Sequence, residues 1–423
     1  VATDAYQWSI SLSGTTLTTF KGGISENKIV LVVTTSAKSK LEYYTFQSEN
    51  YKPKMVIEYY PVYNSTSKIG YNTLSDAISA ASTNDVIIVY DNIESTNIDI
   101  TKAITIQPAT DNITITRSSS TNNIWLTLSH DVTIGSAEKH LILDGGSVTN
   151  SSNLIRAKKG IQSITNTTIQ NYNSGIVLLK NNDSSSTETS GALTLSAVTF
   201  NGCTSTGESI LRCEQGSGVK FFGENAITFT SCTGNDLSIK DANRFHICSG
   251  ATFPAAMTFK LGGTVSYENL ALIFESETDK NTYLPYFNVV NEGYGIYYNG
   301  KSGSNYECKV TEGYNLTVNE YGASTLILPY ISMIPHGVTA YTLNYTTGNS
   351  VNATEVNGTL AVNTPVLINA AAGTYKFSNT ASVTAATSGS GTHKVGALTG
   401  VYAETNVPSG SYILWANESN PIG

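Results

Sequence analysis

The feature that most restricts this chain is a set of short apolar runs that returns, turn after turn, between about residues 139 and 250. Gly191-Ala-Leu-Thr-Leu-Ser-Ala-Val-Thr-Phe-Asn-Gly-Cys203 is echoed by Val219-Lys-Phe-Phe-Gly-Glu-Asn-Ala-Ile-Thr-Phe-Thr-Ser-Cys232, and a shorter version reads Ile164-Thr-Asn-Thr-Thr-Ile-Gln-Asn171. A second run type alternates with these: Asn153-Leu-Ile-Arg-Ala-Lys158, Gly175-Ile-Val-Leu-Leu-Lys180, Ser209-Ile-Leu-Arg-Cys213 and Arg244-Phe-His-Ile-Cys248. Equating Ile155, Val177, Leu211 and His246 gives steps of 22, 34 and 35 residues. Such self-similarity belongs to solenoids, in which one rung buries its apolar face only when neighbours stack on it. Runs of three to five strand formers, broken by Asn, Gly, Ser and Asp, make the rungs β and not helical.

Over roughly residues 67–290 the pattern resembles a right-handed parallel β-helix. The expected fold is therefore all-β, with antiparallel strands over 1–65, the β-helix over 66–300 and a C-terminal β-sandwich over 301–423. Within the first part, Lys40-Leu-Glu-Tyr-Tyr-Thr-Phe and Pro53-Lys-Met-Val-Ile-Glu-Tyr resemble the closing strands of a jelly-roll carbohydrate-binding module. One helix is predicted over 72–82, with Leu74, Ala77, Ile78 and Ala81 on one face and Thr73 and Asp76 as its cap. A helix there would plug the open end of a β-helix. The strands after it resemble the opening of bacterial surface β-helices. The runs after residue 306 resemble a C-terminal module of Bacteroidetes surface and secreted proteins.

Charged residues are only 13% of the chain and the net charge is −8. Nucleic-acid binding is excluded, because phosphates require a basic face. No apolar run reaches the roughly 20 residues that span a membrane. The opening Val1-Ala-Thr-Asp lacks the features of a signal peptide, so the chain reads as a piece of a larger secreted or cell-surface protein. The five cysteines lack metal-ligand spacing, and neither a metal nor a cofactor is expected. Cys203 matches Cys232, and Cys213 matches Cys248, as small stacked fillers or as a disulfide between rungs.

Chemistry has few candidates. The paired carboxylates of a polysaccharide hydrolase are missing: Asp144 in Leu143-Asp-Gly-Gly stands alone and reads as a turn residue. Arg156 and Arg212 point outward together if Ile155, Ala157, Leu211 and Cys213 point inward, which offers either a ligand face or a lyase base. His246 falls on an inward position in the same alignment. Trp125 points out if Ile124, Leu126 and Leu128 face the core, and in if its rung follows the register of Arg156. The 25 tyrosines include a cluster at 283–306, where the coil ends and a cleft could form against the C-terminal module.

The rung-built core, the absent catalytic motifs and the C-terminal module together resemble the β-helical carbohydrate-binding modules attached to gut-bacterial xylanases. That resemblance implies a monomeric, non-catalytic module for xylan or a related hemicellulose, covalently linked to a catalytic domain. The candidate ligand-binding residues are Trp125, Arg156, Arg212, Tyr294, Tyr297 and Tyr298. Two other readings stand beside it: a lyase or hydrolase acting on an acidic polysaccharide at the Arg156/Arg212 face, and a cell-surface adhesin.

Overall fold

The computed structural model describes residues 60–402 apart from 119–123, 147–152, 182–191, 215–217, 241–242, 264–266, 347–349 and 381–390. Before residue 60 it describes only the backbone of two antiparallel hairpins, Phe20–Ile24 with Asn27–Leu31 and Leu41–Tyr44 with Lys54–Ile57. The run expected at Tyr6–Leu12 lies outside the described residues.

From Asp85 the strands come round in threes. Asp85–Val89, Ile93–Ser95 and Ile98–Ile100 make the first rung, and Ile104–Pro108, Ile113–Arg117 and Leu126–Leu128 the second. Each strand pairs in parallel with its equivalent one rung on. The result is a parallel β-solenoid of about six turns, with a 17-stranded sheet wrapping two faces and a 9-stranded sheet forming the third.

Alternation of side chains explains the build. In Ile104-Thr-Ile-Gln-Pro the isoleucines are buried and Thr105 and Gln107 half-exposed, as the two-residue period of a strand requires. In-register stacking then turns one buried position into a ladder, Ile87–Ile106–Ile134–Ile164–Leu195–Phe221–Ile247–Phe274, running through the coil. Phenylalanines fill its later turns: Phe221 stacks on Phe245 with ring centroids 5.4 Å apart, and Phe200 on Phe229 at 5.3 Å. The strands Gln162–Gln170 and Leu193–Asn201 bend round the corner between two faces at single left-handed residues, Asn166 and Ala197.

Gly135 shows how tightly rungs approach. Its φ is +86°, and a Cβ there would stand 2.0 Å from the carbonyl oxygen of Thr165 on the next rung. Backbone cannot yield as a side chain can. Gly135→Ala is therefore expected to lower stability by at least about 2 kcal/mol, read as a lower denaturant midpoint at unchanged slope.

Both ends of the coil are covered. The predicted helix is present at Leu74–Ala80, with Leu74, Ala77 and Ile78 buried on the first rung and Thr73 accepting from the backbone N–H of Asp76. The hairpin Val62–Asn64 with Ile69–Tyr71 pairs antiparallel on Asp85–Val89 and closes that edge. At the far end, Leu270–Phe274 pairs antiparallel with Asn305–Val318. That 14-residue strand continues beyond the coil and pairs through Gly313–Val318 with Gly373–Ser378. A second core, built on Leu316, Leu328, Val366, Ile368 and Phe377, lies beyond it. Around this core lie a four-stranded antiparallel sheet and two-stranded pairs.

Two alignments need correction. Ile155 stacks on Leu178, not Val177, and Leu211 stacks on Leu237, not on His246. His246 belongs to the other sheet, beside Lys220. Its imidazole faces outward, Nε2 lying 3.0 Å from Glu275 Oε1, while Phe245 and Ile247 are buried. For the same reason Cys213 and Cys248 are not equivalent, whereas Cys203 and Cys232 are.

Candidate functional site

Where the shared strand passes from the coil to the second core, the chain opens into a cleft of about 380 Å³. Its walls come from three places. Tyr267 and Gly293 belong to the last turns of the coil, Glu312, Gly313 and Tyr314 to the shared strand, and Ile327, Leu328, Pro329, Tyr330 and Tyr402 to the C-terminal part. Gly313 lets the walls close in, since a Cβ there would meet the Tyr294 carbonyl oxygen at 2.5 Å.

The four lining tyrosines are fixed differently. Tyr267 and Tyr314 are 40% and 48% exposed, so part of each side chain is accessible to a ligand. Tyr267 is steered by its hydroxyl, which donates to Gly293 O (3.3 Å), and by Tyr294, whose ring lies 5.0 Å from its own. Tyr330 donates to Phe377 O (3.3 Å) and Tyr402 to Asn363 Oδ1 (2.9 Å). Burial, and after it the Glu312 carboxylate, raise the phenols of Tyr267 and Tyr330 above their ordinary range. Both therefore remain protonated, as donors, well above neutral pH. Glu312 is the one carboxylate among the lining residues.

This combination suits a sugar. Tyrosine faces pack against the C–H faces of a pyranose ring, while a carboxylate accepts hydrogen bonds from its hydroxyls. The volume falls within the range of ligand clefts, at its smaller end.

The residues singled out from the sequence occupy quite different settings. Tyr294 supports Tyr267 from behind. Tyr297 is buried, and its hydroxyl donates to Asn299 Oδ1 (2.9 Å) and approaches both Glu268 oxygens (3.1 and 3.3 Å). It is a structural residue, not a binding face. One ring face of Tyr298 is covered by the Lys280 ammonium, 3.9 Å from the centroid, and Tyr306 packs nearby. Trp125 is fully buried, its Nε1 donating to Ser95 O (3.1 Å), so no ligand reaches it. The physical reason is a corner: on four successive rungs the residue before the first inward position of the third face also turns inward, giving the buried doublets Trp125-Leu126, Leu154-Ile155, Val177-Leu178 and Ile210-Leu211.

Arg156 and Arg212 do share an outward column, but Leu179 stands between them. Arg212 Nε lies 3.1 Å from Glu214 Oε2, and Lys240 lies 3.8 Å from the same oxygen. Asp144 clasps its turn, accepting from Gly146 N, Gln170 Nε2 and Asn171 Nδ2. Among the described residues no group of three or more His, Cys, Asp or Glu could hold a metal ion. Among them, too, no helix is long and apolar enough to cross a membrane.

Tyr267 stands in a tyrosine-rich stretch of the sequence but outside its densest part. Glu312, Tyr314, Tyr330 and Tyr402 carry no sequence signal, because only the fold-back of the C-terminal part brings them together. No family model, curated protein or solved structure matches the chain.

Proposed function

We propose that this chain is a non-catalytic carbohydrate-binding protein that holds a neutral polysaccharide, xylan first among the candidates, in the tyrosine cleft. The observation behind this reading is the pair of accessible tyrosines, Tyr267 and Tyr314, beside the single carboxylate of Glu312. A lone carboxylate favours hydroxyl-rich neutral sugars and repels uronates. It also falls short of the acid and base pair by which glycosidases work. The choice of xylan, the attachment to a secreted polysaccharide-degrading enzyme and the bacterial setting rest on the sequence resemblance alone.

The test is affinity electrophoresis through gels carrying xylan, arabinoxylan, β-glucan, mannan, pectin and alginate, with each mixture assayed for cleavage. Retardation on neutral polymers without product is expected. Tyr267→Ala and Tyr314→Ala should each weaken it about tenfold, or ~1.4 kcal/mol, while Arg156→Ala leaves it unchanged. Product from any polymer, or binding lost in Arg156→Ala and kept in both tyrosine variants, would move the activity to the arginine face. Retention on mucin but on no plant polymer would favour an adhesin.

A further inference from the structure

One corner of the coil repeats with unusual fidelity. Between the second and third faces the chain reads Asn171-Tyr172-Asn173, Gly202-Cys203-Thr204 and Ser231-Cys232-Thr233 on successive rungs. The first residue of each triplet is left-handed, with φ of 56°, 59° and 51°. The middle residue then turns towards the interior.

Cys203 and Cys232 therefore stand one directly above the other. Two backbone hydrogen bonds bracket them, Gly202 N to Thr230 O and Thr233 N to Cys203 O, both 2.9 Å. Each thiol is aimed the same way, back along the coil: Cys203 Sγ at Ile169 O (3.6 Å) and Cys232 Sγ at Phe200 O (3.4 Å). Since Ile169 and Phe200 are register partners, the Cys232 thiol hangs over the rung that carries Cys203. Adjacent strands lie about 4.8 Å apart, inside the Cα separation a disulfide spans.

The geometry points to a covalent staple between the fifth and sixth rungs, a Cys203–Cys232 disulfide formed by exchange with a small-molecule disulfide. Cys232, half-exposed, reacts first. Its thiolate attacks one sulfur of oxidised glutathione, the glutathione S–S bond breaks, and one glutathione thiolate leaves and takes up a proton. Cys203 then gives up its proton and attacks Cys232 Sγ, expelling the second glutathione. Two protein thiols are oxidised and one glutathione disulfide becomes two thiols. The neighbouring Cys203 thiol draws Cys232 down to about 7, while the Cys232 thiol and burial push Cys203 up. The order of attack follows from this difference.

The chain, reduced and then treated with oxidised glutathione under native conditions, is unfolded with alkylating agent and mapped by mass spectrometry. Three of the five cysteines should be alkylated, with the Cys203 and Cys232 peptides joined and two hydrogen atoms' mass lost. Reductant should restore all five. In Cys232→Ser, whose side chain is half-exposed, Cys203 should stay alkylatable after the same treatment. Five alkylatable thiols, a link between any other pair, glutathione retained on Cys232, or loss of the Cys203 thiol in Cys232→Ser would each overturn the proposal.

Discussion

Phe221→Ala is expected to lower the unfolding free energy by about 4 kcal/mol, the loss typical of a fully buried phenylalanine. The ring has no exposed surface, stacks on Phe245 and meets Phe253 edge-on at 5.6 Å. On its own column it is flanked by Leu195 and Ile247. Neither neighbour can slide into the hole, because each is held by a backbone ladder of its own. A solenoid also has only nearest-neighbour contacts along its axis, so the loss is not shared over a wide core. Urea unfolding should show a lower midpoint, and hydrogen exchange should place the weakened amides in Leu193–Asn201, Val219–Phe221 and Phe245–Ile247 before the first rungs. A loss below about 1 kcal/mol, well under the usual range for such a truncation, would mean that the coil collapses locally around the gap.

The second large effect concerns Lys180, which occupies an inward position between Ala157 and Cys213 in its column. It has no exposed surface, and its Nζ donates to Lys158 O (2.5 Å) and Gln162 Oε1 (2.8 Å). Burial lowers its pKa from 10.5 to about 8. The folded value thus lies below the unfolded one, and the folded state disfavours the charged amine. Stability tied to this residue is complete above about pH 10.5 and is lost as pH falls to about 8. The difference is about 3 kcal/mol, at ~1.4 kcal/mol per pH unit. Lys180→Met keeps the methylenes and removes the titration. Between pH 8 and 10 the wild type should therefore gain stability that Lys180→Met does not, read from urea midpoints at each pH. Parallel pH profiles for the two would show that the amine escapes to solvent. Lys376, lowered to about 8 also by burial, pulls the same way in both proteins.

How far the sequence can be read depends on scale. Alternations such as Ile104-Thr-Ile and Val198-Thr-Phe are set by neighbouring residues, and both runs are strands. The capping helix, with its Thr73 cap, is equally local. Register is different. Where two consecutive residues are buried at a corner, as in Val177-Leu178, the apolar pattern fits either alignment, and the choice of Val177 misses the true register by one residue. Phe245-His-Ile reads like any strand of any face, so periodicity does not tell which sheet it joins. The same kind of doublet makes Trp125 ambiguous. The cleft lies furthest from view, since Tyr267 and Tyr402 become neighbours only through a strand that belongs to two cores.

That strand has a mechanical meaning. Asn305–Val318 hands over between its two ladders at one peptide step: Glu312 still pairs with Tyr294, and Gly313 already pairs with Ser378. No slack separates the coil from the C-terminal part. Tension along the strand pulls on its hydrogen bonds side by side, in shear, where a flexible tether would let them peel away singly. The tyrosine cleft sits astride that step. A polymer held there would be anchored to a strand that both cores share, and its drag would pass directly into the stacked rungs.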